Sequence, residues 1–276
     1  MTKFMGRKRT GNRSPATSLG GNLVGLPTGL LISADFHAFP LPIHIAGTRE
    51  THSALFTALE NVKSTIAAGQ IFQAYMEDLF GRPLDGNGAA TRRYRAQYLH
   101  LLNGWGFDSN SPEGAVLKDW VESRFGIPAT FHKSVIARYG SPAWLQYAED
   151  KMSSRFDNNN IRMQLDVLYE FSQWFLRRHD PAGQRHLRLY RGTNDFAEHP
   201  MIRQQDERHG VIRLNNLVSF TSDRDIAGEF GDFILEVQVP LVNILFFNGL
   251  IPDHILKGEA EYLVIGGEYA VRVDYY

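Results

Sequence analysis

The sequence predicts an α+β fold in which a helical N-terminal portion packs against a C-terminal mixed β-sheet. Two observations support this prediction. Apolar residues recur at helical spacing through the first two thirds of the chain, whereas short β-branched and aromatic runs separated by Gly, Pro and Asn fill the rest. Helical and strand segments do not alternate, which argues against βαβ units. We therefore divide the chain into three regions, residues 1–34, 35–182 and 183–276.

Residues 1–34 are predicted to be a basic leader followed by a Gly-rich segment. Basic side chains cluster before residue 14, and no charged residue occurs from Ser14 to Ala34. Repeated Gly and Pro interrupt that uncharged stretch, so it suits neither a signal peptide nor a membrane helix. The chain has no cysteine, which excludes disulfides and thiolate metal sites. We expect a cytoplasmic protein without stable membrane insertion.

Three apolar stripes at helical spacing are each followed by a glycine and predict the first three helices. They cover residues 55–66, 71–80 and 94–102, with Gly69, Gly81 and Gly104 as the expected stops. Ser111 and Ser141 each precede a proline, which is typical of a capping residue before the first helical position. A sixth helix is predicted over about residues 161–179, because basic residues suit its C-terminal end and a proline follows it.

The region after residue 183 contains six strand-like runs separated by turn residues. They cover residues 186–190, 210–220, 232–240, 242–247, 261–265 and 269–276. Gly266 and Gly267 separate the last two runs and predict a closing hairpin.

Several common classes of function find no support in the sequence. The 29 basic and 30 acidic residues nearly balance, so bulk charge gives no reason to expect nucleic-acid binding. No glycine-rich phosphate loop with its lysine is present, and the ten histidines lack metal-ligand spacing. No Gly-x-Ser-x-Gly motif suggests a hydrolase. The four tryptophans lie at helix-like positions, for which core packing is the default interpretation.

Three polar motifs remain, and all lie in the β-rich region. Arg191-Gly192 closes the first strand, and Ser219, Thr221 and Ser222 close another. The third motif places Glu259 and Glu261 at the head of an apolar strand, on the same face. Each has an ordinary explanation: a turn, a helix cap and a solvated strand end. Together they predict a cleft with an arginine for phosphates, hydroxyls for a ribose and two carboxylates opposite.

This order of motifs resembles the arginine–serine–glutamate class of mono-ADP-ribosyltransferases. The segments "GNLVGLPTGLLISADF" and "LYRGTNDF" are further similar to the dinitrogenase reductase ADP-ribosyltransferase family. The resemblance implies an ADP-ribosyltransferase-like core over 183–276 with NAD+ as co-substrate and no metal. It also implies dinitrogenase reductase as the protein substrate and a PII signal protein as regulator. The helical region would then serve as scaffold and docking surface.

The resemblance also implies roles for individual residues. Arg191 would lie on the phosphate or ribose side of NAD+, and Gly192 would offer backbone hydrogen bonds to the nicotinamide amide. Glu261 would bind the ribose 2′-hydroxyl and stabilise the positive charge that develops when nicotinamide leaves. Glu259 would orient the acceptor arginine and take its proton. A Glu-x-Glu pair goes with arginine as the acceptor in this class.

The serine motif departs from the Ser-Thr-Ser pattern of the class. Phe220 separates Ser219 from Thr221. An alignment on Thr221-Ser222 places Phe220 where the first serine of the pattern should be, whereas an alignment on Ser219 requires a one-residue bulge. The hydroxyl that supports Glu261 is therefore open among Ser219, Thr221 and Ser222. Ser219 is the first choice because a strand residue faces the cleft, whereas Ser222 is also a candidate cap for the next helix.

Two alternatives to this function remain open from the sequence. One is an arginine-specific transferase with a different protein target, similar to a toxin-type effector. The other is a catalytically silent module that binds NAD+. Two neighbouring carboxylates argue against the silent module, because binding alone does not require a pair of like charges that repel each other.

Overall fold

The computed structural model describes residues 22–81, 97–179, 183–194, 196–252 and 261–275. The predicted α+β class is confirmed: helices occupy the N-terminal part of these ranges and an eight-stranded sheet occupies the C-terminal part. Within the same ranges, no helix has both the length and the apolar character needed to cross a bilayer.

Ten α-helices occur in the described ranges. They are α1 (Thr28–Ile32), α2 (Ala34–Ala38), α3 (Thr48–Thr51), α4 (Ser53–Leu59), α5 (Thr65–Phe80), α6 (Gln97–Phe107), α7 (Pro112–Phe125), α8 (Pro142–Ser153), α9 (Asn159–Arg178) and α10 (Arg224–Gly228).

The serine caps and the sixth predicted helix are confirmed. The Ser111 side chain accepts a hydrogen bond from Gly114 N at the start of α7. Ser141 accepts one from Trp144 N at the start of α8. The sixth predicted helix corresponds to α9, whose last turn carries Arg177 and Arg178. Side-chain caps satisfy amide groups that a helix leaves unpaired at its N-terminus. A capping serine therefore predicts a helix start from the sequence.

Two predicted helix stops are wrong. Gly69 lies inside α5, and Gly104 lies inside α6. A β-carbon on Gly69 would lie 2.3 Å from Pro252 Cδ, and one on Gly104 would lie 2.6 Å from Glu113 Cβ. Both glycines therefore permit a neighbouring segment to approach the helix closely, which is a tertiary reason that no local pattern reveals. The first predicted helix is also divided, because α4 ends at Leu59 and Ser64 caps α5.

Two sheets are formed by the described strands. The first consists only of β1 (Phe131–His132) and β2 (Ser134–Val135). The second has the order β4-β5-β10-β7-β3-β6-β9-β8. Its strands are β3 (His186–Thr193), β4 (Met201–Gln204), β5 (His209–Arg213), β6 (Leu217–Thr221), β7 (Phe233–Pro240), β8 (Ile244–Phe247), β9 (Glu261–Ile265) and β10 (Glu268–Tyr275).

The predicted mixed sheet is corrected by the pairing pattern. Every neighbouring pair of described strands in the large sheet is antiparallel. Parallel pairs need long crossovers, usually helical, and the short α10 is the only α-helix described between β3 and β10. The arrangement is therefore an antiparallel sheet covered by the preceding helices.

The large sheet consists of two halves that meet at a narrow seam. β4, β5, β10, β7 and β3 form one half, and β6, β9 and β8 form the other. β3 and β6 pair through one residue couple, Tyr190 with Thr221, whereas β3 and β7 pair along eight. We call this junction the seam.

A second connection between the halves replaces the predicted closing hairpin. β9 and β10 do not pair with each other; β9 lies between β6 and β8, and β10 lies between β5 and β7. At the Gly266-Gly267 link the ladder continues, because Leu214 N donates to Gly267 O at 2.8 Å and Gly266 N donates to Asn216 O at 3.0 Å. The two glycines therefore carry the chain from one half to the other, and we call this junction the corner.

Buried asparagines attach the corner to the helical region. Asn215 Oδ1 accepts a hydrogen bond from Thr130 N at 2.9 Å. Asn216 Nδ2 donates to Lys118 O at 2.8 Å and to Ile127 O at 3.0 Å. Both asparagines are essentially inaccessible to solvent. These bonds satisfy backbone groups of α7 and of the segment that follows it, and they fix the corner against the helical region.

Helix α9 covers the β8 side of the sheet with polar as well as apolar contacts. Tyr169 Oη donates to Val242 O at 2.8 Å, and Gln173 Nε2 donates to Ile244 O at 3.0 Å. Apolar residues of the helices and of both sheet halves belong to one continuous hydrophobic core. The domain boundaries at 34/35 and 182/183 stay a prediction.

We predict that Gly266→Ala strongly destabilises the protein. A β-carbon at Gly266 would lie 1.6 Å from Asn215 O, and its three nearest neighbours are all backbone atoms at the corner. We expect a loss of about 3 kcal/mol or more in the free energy of unfolding, measured by urea denaturation. The control is Gly29→Ala in α1, where nothing lies within 4 Å of the added carbon. Equal stability of the two variants would contradict the described corner.

Candidate active site

A cleft of ≈ 320 Å³ opens at the seam. Its floor comes from the strands: Tyr190, Arg191 and Gly192 of β3, the end of β6, and Glu261 at the start of β9. One wall is the last turn of α6 and the loop after it, and the opposite wall is α10 with Phe230. Both Phe107 and Phe230 are largely exposed. The cleft therefore combines polar strand ends with apolar walls, which is a common composition of small-molecule sites.

Ser219 and Glu261 form a hydrogen-bonded pair on the cleft floor. Ser219 Oγ donates to Glu261 Oε1 at 2.6 Å, which is a short distance typical of a hydroxyl bound to a carboxylate. The two residues lie on adjacent strands, with Thr221 opposite Glu261 in the register. Glu261 is 9% exposed, and it lines the cleft. A nearly buried carboxylate is thus held at the position where a ligand would meet the strand ends.

Arg191 lies on the other side of the seam and forms a hydrogen bond across it. Its NH1 donates to Ser219 O at 2.9 Å, and its Nε donates to His199 Nε2 at 3.0 Å. Its NH2 lies 3.8 Å from Glu198 Oε2. Burial lowers the pKa of the Arg191 guanidinium, and the nearby carboxylates of Glu198 and Glu261 oppose that shift. Arg191 therefore fixes the backbone of Ser219 as well as placing positive charge at the cleft.

The Arg191 bond requires His199 to be neutral, because a protonated ring has no acceptor nitrogen. His199 is fully buried, and burial together with the Arg191 charge lowers its pKa to about 3. The imidazole thus orients the guanidinium without adding charge to the site.

Gly192 has a packing role at the cleft. A β-carbon there would lie 2.0 Å from Ala227 O in α10. Only glycine permits α10 to pack this closely on β3. The packing of α10 on β3 therefore explains why glycine is required at position 192. The backbone of Gly192 also lines the cleft.

The remaining hydroxyls lie in different surroundings. Thr221 lines the cleft, and its Oγ1 accepts a hydrogen bond from Asp223 N at 3.1 Å. Ser222 is exposed outside the cleft lining, and its hydroxyl interacts with the Tyr262 phenol. The cap of α10 is Asp223, not Ser222. Phe220, which interrupts the serine motif, is buried.

Glu259, the second predicted carboxylate, lies outside the described residues. In the part of the chain that the structure does describe, no group of three or more His, Asp or Glu side chains is placed to hold a metal ion. The residues brought together in the cleft are Arg191, Gly192, Ser219, Thr221 and Glu261.

Two residues near this site were not predicted from the sequence. Trp105, for which core packing was the default, donates from Nε1 to Ser219 Oγ at 2.8 Å. Lys118 is fully buried in α7, and its Nζ lies 5.8 Å from the Trp105 ring centroid. Burial lowers the pKa of Lys118 to about 8. The one local signal is a tryptophan between two glycines, Gly104 and Gly106, near the end of a helix.

Comparison with known proteins identifies the family. Residues 21–273 match the family model described as dinitrogenase reductase ADP-ribosyltransferase (DRAT). The chain belongs to this family. It is also 52% identical over 276 residues to the NAD(+)--dinitrogen-reductase ADP-D-ribosyltransferase of Rhodospirillum rubrum, covering 97% of this chain and 99% of that relative. No solved structure matches the chain. For this DRAT family member, the match spans both the helical region and the sheet.

We predict that His199 makes the stability of this DRAT family member fall in acid. The unfolded chain binds a proton at His199 near pH 6.5, whereas the folded protein does so only near pH 3. The free energy of unfolding therefore falls as the pH drops through that window. We expect His199→Gln to reduce this slope between pH 7 and 5 in urea titrations.

A comparison of the two proteins at pH 8 serves as the control, since His199 is neutral there in both folded and unfolded states and only packing differs. Identical slopes for wild type and variant would show that His199 does not stay neutral on folding.

Proposed function

We propose that this protein is an NAD+-dependent mono-ADP-ribosyltransferase that modifies an arginine of dinitrogenase reductase and thereby switches off nitrogen fixation. We further propose that the large sheet is an ADP-ribosyltransferase-type core with its NAD+ site at the seam. The observation that carries the proposal is the Ser219–Glu261 pair beside Arg191 in one cleft, in a chain 52% identical to a relative named for this reaction.

The donor half of the reaction uses Glu261. Cleavage of the bond between nicotinamide and ribose releases neutral nicotinamide and leaves positive charge on the ribose. A fixed carboxylate on the cleft floor stabilises that charge more than it stabilises ground-state NAD+. The Ser219 hydrogen bond holds the carboxylate in one orientation, so little reorganisation is needed as the charge develops. Arg191 contributes positive charge near the phosphates of NAD+.

The acceptor half of the reaction uses Glu259, whose role stays a prediction from the sequence. An arginine guanidinium is protonated at neutral pH and is then a poor nucleophile. A nearby carboxylate orients the planar group and accepts one proton as a guanidinium nitrogen forms the new bond to the ribose C1 carbon. The balanced products are ADP-ribosyl-arginine, nicotinamide and one proton.

The partners follow from the family. The relative's name specifies dinitrogen reductase, and we propose the corresponding iron protein as the substrate here. Regulation by a PII signal protein and docking on the helical region are proposals that rest on resemblance. A cytoplasmic location is part of the same proposal and is supported by the absence of cysteine from the sequence.

We predict that Glu261→Gln abolishes transfer while NAD+ still binds. The amide keeps the shape of the side chain but removes the negative charge, so we expect the rate to fall by at least about 100-fold. Wild type and variant are incubated with labelled NAD+ and an extract of nitrogen-fixing cells, with PII protein and nucleotides added. Glu268→Gln is the matched control, because Glu268 is also a strand glutamate but binds Arg213 away from the cleft.

One labelled band at the iron protein, present with the control and absent with Glu261→Gln, would support the proposal. Label on another protein would instead favour a transferase with a different target. Absence of both label and nicotinamide release from wild type would favour the silent NAD+-binding module.

Glu259→Gln separates the two halves of the reaction. We predict that it abolishes arginine modification but leaves slow hydrolysis of NAD+, because water can replace the acceptor once Glu261 has stabilised the ribose cation. Nicotinamide release and labelled protein are measured in the same samples. Equal loss of both activities would contradict an acceptor-side role for Glu259.

A further inference from the structure

Trp105 connects the helical region to the carboxylate of Glu261 through Ser219. Trp105 of α6 donates from Nε1 to Ser219 Oγ at 2.8 Å, and Ser219 Oγ donates to Glu261 Oε1 at 2.6 Å. An indole nitrogen can only donate, and a serine hydroxyl has a single proton. Because Ser219 accepts from the indole, its own proton is directed at the carboxylate. The direction of both hydrogen bonds is therefore fixed, because the indole can only donate and the carboxylate can only accept.

Trp105 is itself held in place by its surroundings. Its side chain is 4% exposed, and Lys118 Nζ lies 5.8 Å from the ring centroid. The Lys118 ammonium donates to Asn110 Oδ1 and Phe131 O, both at 3.1 Å, and lies 3.4 Å from His132 Nδ1. Three polar partners thus hold the ammonium under the indole, where the cation also interacts favourably with the ring. The indole is therefore supported by a residue that does not itself line the cleft.

We propose that Trp105 is a positioning residue that acts on the reaction through Ser219. A serine side chain has three staggered rotamers, and the indole hydrogen bond favours the one that points at Glu261. Loss of this bond leaves Glu261 in the cleft but lets its hydrogen-bond donor rotate away. The inference rests on the proposed function, and it assigns the helical region a part in forming the active site.

The first test compares Trp105→Phe with Trp144→Phe. Trp144 lies on α8, packs against the Tyr139 ring with centroids 4.1 Å apart and a tilt of 46°, and does not line the cleft. For Trp105→Phe we expect kcat of NAD+ hydrolysis to fall about 10-fold, while KM for NAD+ changes by less than about 2-fold. Trp144→Phe is expected to match wild type. Unchanged kcat in a folded Trp105→Phe protein would overturn the proposal.

The second test asks whether Trp105 acts through Ser219. We measure kcat for Trp105→Phe, Ser219→Ala and the double variant. A path through Ser219 predicts that the double variant is no slower than Ser219→Ala alone, because the hydroxyl that Trp105 orients is already gone. If the fold-losses in kcat of the two single variants multiply in the double variant, Trp105 supports the protein by packing alone. That result would overturn the inference.

A third variant covers the case in which Trp105→Phe does not fold. Benzothienylalanine placed at position 105 by stop-codon suppression keeps the shape of tryptophan but replaces the N–H with sulfur. It should reproduce the 10-fold loss in kcat with an unchanged melting temperature, and full activity would overturn the proposal. Glu261→Gln is assayed in parallel: activity retained there would refute the proposed function itself, whereas its loss together with a fully active Trp105 variant would refute only this inference.

Discussion

The seam between the two halves of the sheet is the constraint on which the candidate site depends. Tyr190 and Thr221 are the only residue couple in the described ladder between β3 and β6. Arg191 adds a side-chain bond across the same junction, from NH1 to Ser219 O. A ladder that separates after one couple leaves strand ends without neighbours, and the cleft occupies that space. The Arg191 guanidinium and the Glu261 carboxylate therefore come from opposite sides of the seam, which the bond from Arg191 to Ser219 also spans.

The corner anchors β6, the strand whose other end forms one side of the seam. The same two chain segments form the β5–β10 ladder in one half and the β6–β9 ladder in the other. Their direction changes at Asn215-Asn216 and Gly266-Gly267, where backbone hydrogen bonds continue between the two segments and the asparagine side chains bind the helical region. Fixing this junction against α7 also fixes the start of β6, whose other end brings Ser219 and Thr221 to the cleft. Stability at the corner and geometry at the cleft are thus parts of one arrangement.

The helical region takes part in the site as well as in the core. Trp105 enters the cleft from α6, and Lys118 supports it from α7. A sheet of this kind could not orient Ser219 by its backbone alone, because the serine side chain is free to rotate about its own bond. Packing from a distant segment removes that freedom. The family match likewise includes the helical region as well as the strands.

The sequence by itself determined the α+β class, the serine-capped helix starts, most strand positions and the motifs containing Arg191, Ser219 and Glu261, because each depends on local spacing and side-chain chemistry. Only the tertiary structure decided that Gly69 and Gly104 lie within helices, that Gly266-Gly267 forms a corner, and that Trp105 contacts Ser219. These features arise where segments far apart in the chain approach within bonding distance. No periodicity or capping pattern encodes such a contact, since it is the packing of the whole core that brings the partners together.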